Sequence, residues 1–198
     1  MATSTLIPLL VPVLVGLLAI AGARWNATRL EKTKAELAFL NDQLGKLYGP
    51  LFALNAASQA AWRQFRQRYR PGGVFFTKVN PPTEADLLAW RQWMTCVFMP
   101  MNERMVEAIL GNIHLIEDSE VPDCFLELIA HVEGYRVIRH RWELGDFSEH
   151  LSLLVFPKAF EANVNETYEL LNRRQARLVR GLSPRHGQAG DHGSREAR

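Results

Sequence analysis

The stretch TLIPLLVPVLVGLLAIAGA, residues 5–23, constrains this chain more than any other, because no residue before Arg24 carries a charged side chain. Such a run is just long enough to cross about 30 Å of hydrocarbon as a helix. Pro8 and Pro12 fall in its first half, where early N–H groups lack intrahelical partners anyway. Ala21-Gly22-Ala23 has the form of a signal-peptide cleavage site, but no positive region precedes the run and the run exceeds a usual signal core. A retained anchor is therefore expected over 1–23. Arg24, Arg29, Lys32 and Lys34 follow it against Glu31 alone, and nothing basic precedes it. The positive-inside rule then places the N-terminus outside and the rest in the cytoplasm, as a single-pass protein of the cell (inner) membrane. Two cysteines, Cys96 and Cys124, lie too far apart for a CxxC motif and read as free thiols in a reducing compartment.

Past the anchor, Leu30, Leu37, Leu44 and Leu51 recur every seven residues, and Thr33, Leu40, Leu47 and Leu54 fill the second apolar position. This heptad pattern predicts a long helix over 24–70, used either as one face of the chain's own bundle or as a coiled-coil seam. If it is a seam, Leu37, Leu44, Leu47 and Leu51 carry it. Gly49-Pro50 interrupts the sequence without shifting the phase, so a kinked, continuing helix fits slightly better than a hairpin. The helix ends in WRQFRQRYR. Arg63, Arg66, Arg68 and Arg70 either solvate that end against the helix dipole or, if the chain folds back at Gly49-Pro50, reach anionic headgroups.

Pro71-Gly72-Gly73 stops this helix and opens a loop to Thr83. Thr83 with Asp86 forms a capping box, and Leu87, Trp90, Met94, Val97 and Met101 trace the apolar stripe of the next helix, with Pro100 breaking or kinking it. Pro122 opens a helix marked by Phe125, Leu128, Ile129, Val132, Tyr135, Ile138 and Trp142. A connector follows, and a last helix runs from about 157 to 182. Apolar spacing of three and four, never two, predicts an all-α chain: one transmembrane helix, a long heptad helix, and a small bundle over 71–182 that packs with it. The glycine-rich polar tail 183–198 is expected to be disordered.

Chemistry is harder to find. A net charge of +2 gives no footprint for nucleic acid. Glu127 and His131 are four apart, but no Glu-x-x-His or His-Glu-x-x-His occurs, and no phosphate loop or nucleophile elbow. Met94, Met99, Met101 and Met105 beside Cys96 suit a core or an adaptable surface better than Cu(I). Glu133, Arg136, His140 and Glu143 share a helix face as a salt-bridged surface. No catalytic residue, cofactor, metal or small-molecule ligand is indicated.

The stretches LYGPLFAL (47–54), WRQWMTCVFMPMNERM (90–105) and HVEGYRVIRHRWELGDFSEHLSLLVFP (131–157) resemble a group of uncharacterised bacterial single-span membrane proteins with a cytoplasmic helical domain. The resemblance implies a bacterial inner membrane and no particular activity. The expected function is that of a membrane-anchored, non-catalytic interaction or scaffold protein. Its partners would be the bilayer at 5–23 and a protein or a second copy at the seam. The alternatives are a membrane-bound enzyme or metal protein using Glu127, His131 and His140, and a membrane-stress or anti-phage effector.

Overall fold

The computed structural model describes residues 7–117 and 120–182, with side chains from residue 15 onward. The first residues of the expected anchor and the expected tail 183–198 lie outside these limits. Helices α1 (Ile7–Asp42), α2 (Gly49–Tyr69), α3 (Glu84–Trp93), α4 (Met99–Gly111), α5 (Asp123–Glu143) and α6 (Phe160–Leu182) make up the chain, and no strand occurs among the described residues. The all-α expectation holds. Among the described residues, no helix is long and apolar enough to cross a membrane; of the expected span, only residues 15–23 have described side chains.

The chain stays helical from Ile7 to Tyr69, passing straight through Gly49-Pro50. Pro50 has no N–H to give the Lys46 carbonyl, and its ring crowds that carbonyl. The turn before it widens into a π-helical segment, Gln43–Tyr48, in which the Gly49 N–H reaches the Leu44 carbonyl five residues back. The Lys46 carbonyl is instead taken by Asn112 Nδ2 at 3.1 Å. Pro100 is accommodated the same way: a π segment, Met94–Phe98, joins α3 to α4, and the Met99 N–H bonds the Met94 carbonyl. Of the two expectations at Pro100, a break or a kink, the break does not occur: the helical run is uninterrupted from Glu84 to Gly111.

Leu40, Leu47 and Leu51 are completely buried in the chain's own core, and Leu44 packs against that core. This corrects the seam reading. The heptad stripe from Leu40 onward faces α4 and α6 rather than a second chain, because the bundle already covers it. Leu37 is only half-buried, and every described residue from Val15 to Lys32 is exposed. Helix α6 runs antiparallel beside this long helix. Tyr168 stacks on Phe52 at 4.4 Å, Gln175 Nε2 donates to Asn41 Oδ1 at 2.7 Å, and Arg174 bridges Glu36 at 2.8 Å and Glu117 at 2.9 Å.

A second part of the core is aromatic. Phe65, fully buried, has Trp62, Tyr69, Phe75, Trp90, Trp93 and Phe98 within about 6 Å of its ring centre. Replacing such a ring by alanine typically costs ~3–5 kcal/mol. Phe75 comes from the loop 71–83, which is therefore a plug rather than a free excursion. Two of the expected headgroup arginines hold it: Arg66 donates to the Gly73 carbonyl at 2.9 Å, and Arg70 to the Asn80 and Pro81 carbonyls. The capping box forms, with Asp86 Oδ2 accepting from the Thr83 N–H and Thr83 Oγ1 accepting from the Asp86 N–H.

Candidate functional site

One cavity of about 390 Å³ opens between the aromatic core and the connector 147–157. Helix α2 supplies Ser58, Gln59 and Trp62. Trp90 comes from α3, Met94 and Phe98 from the π segment, and Asn102 from α4. His131 and Tyr135 lie one turn apart on α5. Leu151, Ser152, Leu154, Val155 and Phe156 of the connector close the remaining side. The volume falls within the ~300–1,000 Å³ typical of small-molecule sites.

The connector has no regular structure, so its backbone polar groups need partners. Side chains from the helices provide them. Trp90 Nε1 donates to the His150 carbonyl and Trp142 Nε1 to the Glu149 carbonyl, both at 2.8 Å, and His131 Nδ1 lies 2.7 Å from the Leu154 carbonyl. Arg141 adds an ion pair to Asp146 at 2.7 Å and one to Glu149 at 3.0 Å. Glycine at 134 lets α5 approach closely: a methyl there would overlap Ser152 Oγ and lie 3.6 Å from Leu154 Cδ1.

A carbonyl oxygen only accepts, so His131 Nδ1 carries the proton and Nε2 of the neutral ring is an acceptor. Burial pushes the His131 pKa below its ordinary value, against the opposing pull of the Leu154 carbonyl. Burial likewise pushes Tyr135 up to about 12, although a Ser152 backbone hydrogen bond pulls the other way. Both groups are thus uncharged near neutrality. The His131 ring meets Tyr135 and Phe156 edge-on, at 5.0 and 5.5 Å. Asn102 is 3% exposed, and its Oδ1 has no hydrogen-bond partner among the described residues.

Of the residues singled out from sequence, His131 and Met94 reach the cavity and the others fall elsewhere. His140 lies half a turn around α5 from His131 and is exposed, within 3.6 Å of Glu143. Glu127 is exposed, whereas His131 turns inward to the connector. The three are not brought together, and the described residues contain no group of three His, Cys, Asp or Glu placed to hold a metal. Met94, Met99 and Met105 are buried core residues, and of these only Met94 reaches the cavity. Arg63 and Arg68 are exposed. Because the helix does not fold back at Gly49-Pro50, Arg63 lies 40 residues, or roughly 60 Å of helix, beyond Ala23. Contact of Arg63, Arg66, Arg68 and Arg70 with headgroups at the expected anchor depended on that fold-back.

Sequence reasoning overlooked Asn102. It sits on the stripe Phe98, Asn102, Met105, Ile109, otherwise wholly apolar and buried. A lone amide on such a stripe is the signal that could have found it. Gln43 interrupts the stripe of Leu40, Leu47 and Leu51 in the same way, and there the amide donates to the Leu115 carbonyl at 2.8 Å.

No protein-family model matches the chain, and no curated protein or solved structure shows significant similarity to it, so the likeness to bacterial single-span proteins finds no counterpart there.

Proposed function

We propose that this chain is a single-span, membrane-tethered helical module that acts by binding rather than by catalysis. The observation that carries the proposal is the start of α1. Val15, Leu17, Leu18 and Ile20 are 56–66% exposed and point around the whole helix, and no other element covers them. A helix apolar on every side needs an apolar surrounding, and a bilayer supplies one. The sequence running back to residue 5 is likewise uncharged. The basic residues Arg24, Arg29, Lys32 and Lys34 follow at the cytoplasmic flank. The antiparallel α6 carries Arg173, Arg177 and Arg180 back toward that flank. This arrangement supports an inner-membrane anchor with a cytoplasmic bundle. For a protein partner or a second copy, what remains of the heptad stripe is the uncovered part of α1, where Leu30 and Phe39 are exposed and Leu37 is half-buried.

Alkaline carbonate extraction of membranes tests the tether. The full chain should stay in the pellet, and a chain starting at residue 24 should move to the supernatant. Release of the full chain by carbonate would overturn the proposal.

A further inference from the structure

The cavity beside the connector is lined without a single Asp, Glu, Lys or Arg. A charged guest would lose its hydration there and find no counter-ion, so the guest is neutral. Trp62, Trp90, Phe98 and Phe156 present flat apolar surfaces, which suit a ring system. Among the polar groups of the lining, two acceptors stand out. Asn102 Oδ1 is buried and unpartnered, and His131 Nε2 is an acceptor because Nδ1 is committed to the Leu154 carbonyl. An unsatisfied buried amide oxygen destabilises the fold unless something donates to it. The wall that closes the cavity is itself held by Trp90 and His131.

We propose that this cavity binds an uncharged small molecule with an aromatic or alicyclic body and one hydroxyl or N–H donor, which bonds Asn102 Oδ1. The inference deepens the reading of the chain as a binding module and is independent of where the chain is anchored.

The test uses the full chain in lipid nanodiscs, with empty nanodiscs as the blank, and three probes of one shape. At pH 7.5, 2-naphthol is a neutral donor, 2-methoxynaphthalene is neutral without a donor, and 2-naphthoate is an anion. Calorimetry and tryptophan fluorescence read binding. The expected result is saturable binding of 2-naphthol, about tenfold weaker binding of the methoxy compound, as for the loss of one buried hydrogen bond, and none of the anion. Asn102→Leu, of similar size, should remove the preference for naphthol over its methyl ether. Equal binding of the two neutral probes to the natural chain would overturn the proposal, as would binding of the anion or a preference that survives Asn102→Leu. The probe comparison on the natural chain decides the matter even if the variant does not fold. Carbonate extraction reads the tether separately, so either reading can fail alone.

Discussion

Gly49→Ala tests the account of the long helix most directly. A glycine-to-alanine change inside a helix ordinarily stabilises it by ~0.5–1 kcal/mol, since alanine loses less backbone entropy on folding. Gly45, exposed and with nothing within 4 Å of an added methyl, should behave that way. Gly49 should not. A methyl there would lie well inside 3.0 Å of the Leu44 carbonyl oxygen and 3.4 Å from its carbon. That carbonyl accepts the Gly49 N–H and closes the π turn, so moving it sacrifices the bond, ~1 kcal/mol. The turn that must shift carries buried Leu47 and Tyr48, an overpacking cost of ~1–3 kcal/mol. After the ordinary gain is subtracted, the net loss is about 1–3 kcal/mol. For a domain of this size each kcal/mol moves Tm by ~2–4 °C, so Gly49→Ala should melt roughly 3–10 °C lower and Gly45→Ala slightly higher than the natural chain. Circular dichroism melts of the full chain in detergent, with urea midpoints beside them, measure both. If Gly49→Ala melts at or above the natural chain, the π turn is not required by Pro50 and the argument fails.

Thr83→Ala removes the side-chain half of the capping box of α3 and should lower stability by ~0.5–2 kcal/mol by urea unfolding; Asp86, whose pKa is held down first by the residue-83 backbone N–H, which alanine keeps, and also by the Thr83 hydroxyl, should rise only part of the way toward an ordinary carboxylate by NMR. Leu47→Ala should cost ~2–5 kcal/mol without changing the particle mass by light scattering, since Leu47 fills the chain's own core; a drop to half the mass would restore the intermolecular seam. His131 is neutral in the folded state below its ordinary pKa of about 6.5, while the unfolded chain binds the proton there, so stability rises with pH through that window and is fully regained above it. The natural chain should therefore lose more stability than His131→Gln between pH 7 and 5, His150, also lowered by burial, leaving a residual slope in both; identical slopes would refute the burial of His131.

The helices were legible because apolar spacing of three and four reports directly which residues face inward. Leu87 and Trp90 on α3, Met94 at the start of the π segment that follows it, and Phe125, Leu128, Val132, Tyr135 and Ile138 on α5, are buried as that spacing requires. The capping box was legible for a similar reason: Thr83 and Asp86 interact within one turn, and local contacts are written in local order. Gly49-Pro50 was ambiguous because both a stop and a widened turn satisfy the same two residues locally. Asn112, more than sixty positions away, takes the Lys46 carbonyl that Pro50 leaves without its helical donor. The heptad stripe showed that Leu47 and Leu51 are buried but not by what, since a neighbouring helix and a second chain present the same apolar surface. The cavity was not legible at all. Its walls come from four separate parts of the chain, and its polar end depends on which nitrogen of His131 the Leu154 carbonyl occupies. By itself the sequence determined the helices, their buried faces and the uncharged start, because these follow from periodicity and composition along the chain. Only the tertiary structure decided that the heptad face closes on its own bundle and that Asn102 and His131 meet in one enclosed space, because those contacts join residues that the linear order keeps far apart.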